Sequence, residues 1–273
     1  MMRSLWTAAS GMGAQQTNID LIANNMANVN TSGFKRERME FKSLLYQTMQ
    51  RASLDPVGGR GPVNLQVGLG VRAMATSRTF DTGNLEITNN NMDFAIDGPG
   101  FFAVQRAEEQ VAFTRDGNFR LSPLDDGGVM LVTSDGFPIL DTGYEPIIIP
   151  PEVHIRTIVA DQFGNLTFTD DEGDEVDMGF QLAIVQFPNP QGLEAVGNNL
   201  FIATPATGEA MMEADGDVTV MSRLIQGAIE MSNVNIADEM VRMIVAQRAF
   251  EVNSRIIQVS DEMLSQANNL RRG

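Results

Sequence analysis

Apolar and small residues recur at steps of three and four along the first segment, roughly Ser4 to Asn28. The positions are Leu5, Ala8, Met12, Gln15, Ile19, Ile22 and Met26. A seam kept over this length predicts an amphipathic helix of coiled-coil type. Asn30-Thr31-Ser32-Gly33 follows, and Gly33 is the expected left-handed cap. Gly11 and Gly13 each weaken such a helix by up to ~1 kcal/mol relative to alanine, so it calls for a partner. The last segment, roughly Asn235 to Leu270, predicts a stronger helix. Asn233 or Asn235 is the expected N-cap, Asp238 and Glu239 fill the first turn, and Arg271 and Arg272 follow the end. One stripe runs Met240, Met243, Gln247, Phe250, Ser254, Ile257, Leu264. A second runs Val241, Val245, Val252, Ile256, Val259, Met263. A helix with two apolar stripes needs two partners. The N-terminal helix is one; the body or another subunit must supply the other.

Between the helices, short apolar runs alternate with turn signals such as Asp81-Thr82-Gly83-Asn84, Asp116-Gly117-Asn118 and Phe163-Gly164-Asn165. This predicts hairpins, with strands at Phe101–Gln105, Val111–Thr114, Val129–Thr133, Leu166–Thr169, Gln181–Phe187 and Leu200–Ala203. Ser53–Gly70 is rich in glycine and proline and predicts a long loop or extended arm. The fold class expected is α+β, with N- and C-terminal helices pairing as a coiled coil around a largely β central body.

The 273 residues carry 35 acidic and 19 basic side chains, a net charge of −16. That balance argues against a nucleic-acid backbone or an anionic membrane surface as partner. The charge is uneven. Residues 1–44 carry +2, residues 228–273 carry −1, and the middle carries −17. Nearly neutral ends can pack on copies of themselves, while an acidic middle prefers solvent. No stretch is apolar and long enough for a membrane span, and Leu5-Trp-Thr-Ala-Ala-Ser-Gly is too polar for the core of a secretory signal. The protein is expected to be cytoplasmic or exported without a cleaved signal peptide.

Little points to chemistry. With no cysteine and a single histidine, His154, thiolate sites and multi-histidine metal centres are excluded, and a Ser-His-acid triad would have to use His154. The acidic run Asp170–Asp177 lacks the ligand spacing of a calcium loop and is expected to be a solvated hairpin tip. Gly98-Pro99-Gly100 lacks the lysine and following helix of a phosphate loop and predicts a tight turn into the next strand. No catalytic residue, cofactor or metal is expected. The cluster Lys35, Arg36, Arg38, Lys42 holds both lysines of the chain. It is either a solvated basic patch or a contact for the acidic middle of a neighbouring copy.

Leu21-Ile-Ala-Asn-Asn-Met-Ala-Asn-Val-Asn-Thr-Ser-Gly-Phe-Lys-Arg36, with Asn24, Asn25, Asn28, Gly33 and Phe34 as its signature positions, resembles the N-terminal signature of bacterial flagellar rod and hook proteins. Ser232-Asn-Val-Asn-Ile-Ala-Asp-Glu-Met-Val and Gln247-Arg-Ala-Phe-Glu-Val-Asn-Ser are similar to their C-terminal signature, through Asn233, Asn235, Gln247, Arg248 and Asn253. Gly83-Asn-Leu, the segment Asp93 to Phe102 and Thr114-Arg-Asp-Gly-Asn-Phe119 match the shared central region. Within that family, Ser4-Leu-Trp, Leu44-Leu-Tyr-Gln-Thr48 and Leu65-Gln-Val-Gly-Leu-Gly-Val-Arg72 are most similar to distal rod members.

The resemblance implies a structural subunit of the distal rod. Such a subunit polymerises into a rigid hollow helical tube that transmits motor torque. Leu5, Met12, Ile19, Ile22, Met26, Met240, Met243, Phe250, Ile257 and Leu264 would line the assembly helices. Implied partners are further copies of the chain, proximal rod proteins, the hook protein, peptidoglycan- and outer-membrane-ring proteins as a bushing, and the rod cap and type III export apparatus. The implied location is the periplasmic part of the flagellar basal body. The expected division is a helical domain of 1–44 plus 228–273, an arm and connecting β region of 45–100 plus 200–227, and an outer β domain of 101–199. A proximal rod or hook paralogue remains the alternative within the family; an acidic β-rich secreted enzyme is the alternative outside it.

Overall fold

A computed structural model describes residues 2–50, 64–106, 110–124, 127–151, 153, 157–170, 175–216 and 218–272. The chain forms two compact units. One comprises Met1–Ala27, Glu37–Ser77 and Asn235–Gly273; the other comprises Asn28–Arg36 and Arg78–Val234. His154, residues 171–174 of the acidic run, and the part of the expected arm from 53 to 63 lie outside the described residues.

The first unit is built on α1 (Met2–Ala27) and α2 (Ile236–Arg272), which pack along one another. Small side chains let them approach: Ala8 and Ala14 on α1 and Ala246 and Ser260 on α2 are buried. Gly11 belongs to the same seam, because a Cβ there would lie 3.0 Å from Asn253 Nδ2. At 37 residues, α2 is about 56 Å long at 1.5 Å per residue. Asn235 caps it. Its Oδ1 accepts from the N–H groups of Ala237 at 3.0 Å and Asp238 at 3.4 Å, two of the donors a helix start leaves unpaired.

Among the described residues, four strands complete this unit. β1 (Glu37–Ser43) pairs with β4 (Val71–Arg78), and β2 (Tyr46–Gln50) pairs antiparallel with β3 (Leu65–Gly68). The end of the segment expected to be a loop or arm is therefore a strand, because Leu65-Gln-Val offers the alternation that a ribbon needs.

The second unit is largely β. Its centre is a six-stranded sheet in the order Glu194–Gly197, Leu200–Ile202, Val111–Thr114, Phe101–Gln105, Ile184–Gln186, Met211–Met212. Neighbours run antiparallel throughout. Both faces of the middle strands are covered. Phe102, Val104, Ala112 and Ile184 enter one apolar cluster, and Phe101, Ala103, Phe113 and Val185 enter another. Strands buried on both faces read as unbroken apolar runs, which is why Phe101-Phe-Ala-Val is legible in sequence. Edge-to-face rings reinforce the second cluster, with Phe80 on Phe101 at 5.3 Å and Phe113 on Phe187 at 4.8 Å.

Among the described residues, this unit also holds two three-stranded sheets and two short ribbons. The expected strand Gln181–Phe187 is two strands in different sheets, Glu175–Gln181 and Ile184–Gln186. The chain changes sheets at Leu182 and Ala183, whose N–H groups donate to Gly164 and Leu140. A continuous apolar run hides that change, since both sheets want buried side chains. Asn165–Thr169 pairs antiparallel with Glu175–Gln181, so Glu175 and Asp177 of the acidic run belong to a strand, while the expected tip at 171–174 lies outside the described residues.

Candidate functional site

In the helical unit, Leu5, Met12, Ile19 and Met26 are half-buried and Ile22 is buried. Met243, Phe250, Ile257 and Leu264 are half-buried on α2. Met240 lies off that face at 49% exposure. The second stripe remains in solvent along its whole length, from Val241 and Val245, the latter 63% exposed, through Val252, Ile256 and Val259 to Met263. Residues of α1, β1 and α2 also enclose a cleft of about 350 Å³, with Leu21, Met39, Val241 and Val245 among its apolar walls and Arg38 and Arg242 beside them. One face of α2 is thus occupied and the adjacent one is bare.

The N-terminal signature asparagines fix backbone. Buried Asn25 holds the first residue of β1: its Nδ2 donates to the Glu37 carbonyl at 2.9 Å, and its Oδ1 accepts from the Glu37 N–H at 3.0 Å. Asn24 is exposed on α1. Asn28 makes the turn after α1. Its carbonyl accepts from Thr31 N–H and its Oδ1 from Thr31 Oγ1, both at 3.2 Å. Gly33 is left-handed, with φ of +66°, but it does not cap α1, which ends at Ala27. Its role is a close approach. A Cβ there would meet Asp116 N at 2.6 Å and Arg115 C at 2.8 Å, and its N–H donates to the Glu230 carbonyl at 2.8 Å. Phe34 beside it is half-buried.

Among the C-terminal signature positions, Asn233 bridges three segments of the β unit. Nδ2 donates to the carbonyls of Thr79 at 2.8 Å and Asp81 at 3.1 Å, and Oδ1 accepts from Arg36 N–H at 2.8 Å. Gln247 and Arg248 are exposed on α2, with Arg248 3.4 Å from Glu251. Asn253 faces Gly11.

The motif segments 33–36, 83–85, 97–98, 114–119 and 228–233 converge on a constellation that sequence reasoning missed. Lys35, Arg115 and Glu230 are each 1% exposed. Glu230 Oε1 accepts from Lys35 Nζ at 2.5 Å and from Gly83 N–H at 2.8 Å; its Oε2 lies 3.3 Å from Arg115 Nη1. Lys35 Nζ also donates to the Asp81 carbonyl at 2.8 Å. Arg115 Nη2 donates to the Gly98 carbonyl at 2.7 Å, and its guanidinium lies 4.9 Å from the centre of the Phe101 ring.

Lys35 is therefore neither a solvated patch residue nor a contact for a neighbour, as its basic flanks suggest; burial lowers its pKa and Glu230 partly restores it. Burial lowers the Arg115 pKa in the same way. Asp116 accepts from Ser32 Oγ at 2.8 Å and Asn118 N–H at 3.1 Å, and burial raises its pKa against those bonds. No local signal marks Lys35, because its counter-ion lies 195 residues away. Among the described residues, no three histidine or carboxylate groups are placed to hold a metal ion, and no helix is long and apolar enough to cross a membrane. The geometry holds backbone segments together and offers an apolar helix face.

Comparison with known proteins matches three regions of the chain. The family description "Flagella basal body rod protein" matches residues 5–35. "Flagellar hook protein FlgE/F/G D1 domain" matches 95–168, and "Flagellar basal body rod FlgEFG protein C-terminal" matches 225–270. The flagellar basal-body rod protein FlgG of Borreliella burgdorferi is 46% identical, over all of both chains. FlgG of Bacillus subtilis is 39% identical, again over all of both. The flagellar hook-basal body complex protein FlhP of Bacillus subtilis is 32% identical over 99% of this chain and all of its own. Likeness of this degree from end to end, including both helices and the segments that meet at Glu230, means that the chain belongs to the flagellar basal-body rod protein family.

Proposed function

We propose that this chain is a non-catalytic structural subunit of the flagellar distal rod, polymerising with copies of itself into a rigid hollow helical tube that passes motor torque to the hook. The observation that carries this reading is the bare stripe of α2, beside a face already packed on α1. Apolar surface of this kind gains roughly 25 cal/mol per Å² on burial, and a second copy can supply the cover. A contact that joins different patches of successive copies, through a rotation that does not close, builds an open helical array.

In this reading the tube stands in the periplasm on proximal rod proteins and carries the hook protein above. Peptidoglycan- and outer-membrane-ring proteins surround it, and the rod cap and type III export apparatus deliver its subunits without a cleaved signal peptide. The paired helices act as a coiled coil lining the channel. The arm region braces neighbouring subunits.

The test is the double substitution Val245→Asp/Val252→Asp. The monomer should keep its helix content by circular dichroism, and polymer in sedimentation and negative-stain images should disappear. Undiminished polymer would refute the assigned face. Immunogold labelling of isolated hook–basal bodies fixes the position: label just below the hook supports the distal rod, and label on the hook or near the inner membrane assigns another member of the family.

A further inference from the structure

Glu230 is the last charged residue of the β unit, which ends at Val234, and it sits in that unit's last strand, Ala228–Glu230. The two cations it neutralises come 195 and 115 residues earlier. We infer that residues 228–231 are a closing latch: the β unit holds its fold only while Glu230 is seated between Lys35 and Arg115.

The reasoning is electrostatic. With the last strand detached, Lys35 and Arg115 lose the carboxylate between them and are left as an uncompensated pair of like charges against packed backbone, which is strongly destabilising. The backbone near each cation is closely packed. Lys35 comes two residues after Gly33, where a Cβ would lie only 2.6 Å from Asp116 N. Arg115 precedes Gly117, where a Cβ would lie only 1.6 Å from the Phe94 carbonyl oxygen. Two other carboxylates act on the cations, Asp81 on Lys35 and Glu213 on Arg115. Asp81 meets Lys35 Nζ through its backbone carbonyl. Glu213 is committed elsewhere: its Oε1 accepts from Gln186 Nε2 and Ser222 Oγ, both at 2.6 Å, and its Oε2 from Ser222 N–H at 2.7 Å. Among the described residues, Glu230 alone meets both cations with side-chain oxygens.

It follows that the unit has no stable state with the latch detached and the sheets intact. A chain emerging from its N-terminus keeps this unit open until residue 230 has appeared.

Native-state hydrogen exchange on the full chain, over a range of low denaturant concentrations, tests this without any substitution. The Met231 N–H, bonded to Asn84 O at 2.8 Å, reports the latch. The Leu131 N–H, bonded to Ile147 O at 3.1 Å, reports a strand away from it. The two should open with the same constant to within about threefold and with the same denaturant dependence. Overturning the latch requires Met231 to open tenfold or more readily than Leu131, on a shallower slope, because the sheets would then be standing without it. The full chain carrying Lys35→Met, Arg115→Met and Glu230→Met has no cations to leave bare, so the two amides should separate by about tenfold or more. If they stay coincident in a folded triple variant, charge is not the cause and the inference fails.

Discussion

Asn25 grips the backbone of Glu37 with both ends of its side-chain amide, donating at 2.9 Å and accepting at 3.0 Å. It does for β1 what a neighbouring strand would do, so the strand starts where α1 directs it. Asn25→Leu should cost about 2–3 kcal/mol, since it leaves two backbone groups without partners. Asn25→Asp keeps the acceptor but loses the donor. It also sets a second carboxylate beside Glu239 Oε2, which lies 3.5 Å from Asn25 Nδ2. Its cost should therefore be larger at pH 7 than at pH 4, as urea unfolding at both values would reveal.

The buried ions predict an order among substitutions. Glu230→Gln leaves two cations without a counter-charge and should cost about 3–5 kcal/mol. Lys35→Met leaves Arg115 and Glu230 as a balanced pair but gives up two hydrogen bonds, to Glu230 Oε1 and to the Asp81 carbonyl, so about 2–3 kcal/mol is expected, less than for Glu230→Gln. Equal losses in urea titrations would show that shape, not charge, dominates the site.

Asp116 gives the fold a pH-dependent element. Burial raises its carboxyl pKa above the ordinary 3.8, so the folded state holds the proton more tightly than the unfolded chain. Its contribution is complete below pH 3.8 and is lost as pH rises through the higher folded value. Wild type should lose stability relative to Asp116→Asn across that window. Ser32→Ala removes a bond that favours the carboxylate, so it should extend the window upward. Thermal unfolding of the three proteins from pH 3.5 to 7 measures this directly, and superimposable profiles would exclude it.

Glycines that look alike in sequence should respond oppositely. A Cβ at Gly13 meets nothing within 4 Å, so Gly13→Ala should stabilise α1 by up to ~1 kcal/mol. Gly33→Ala forces a left-handed alanine into backbone 2.6 Å away and should cost at least ~2 kcal/mol. Melting temperatures of the two variants should move in opposite directions.

What could be read in the sequence depended on how local its cause is. Strands Phe101–Gln105, Val111–Thr114 and Val129–Thr133 lie where their apolar runs place them, because burial on both faces leaves a continuous signal. The helices follow from spacing and caps within a few residues. β1 gave no such signal: Glu37-Arg-Met-Glu-Phe-Lys-Ser is polar and mostly exposed, and its register comes from Asn25 and from β4, more than thirty residues on. Lys35 was misread for a related reason. Its sequence neighbours Arg36, Arg38 and Lys42 suggest a wet surface, whereas a distant glutamate determines its surroundings. Asn25 and Gly33 stood out by resemblance, and only their contacts give the physical reason.

The bare stripe of α2 has a thermal consequence. Valine and isoleucine shed water with little enthalpy change near 25 °C, and the drive to do so weakens on cooling. An array of these subunits held through Val245, Val252, Ile256 and Val259 should tighten as it is warmed from near freezing and shed subunits when chilled. The heat capacity of assembly should be negative, in proportion to the apolar area covered.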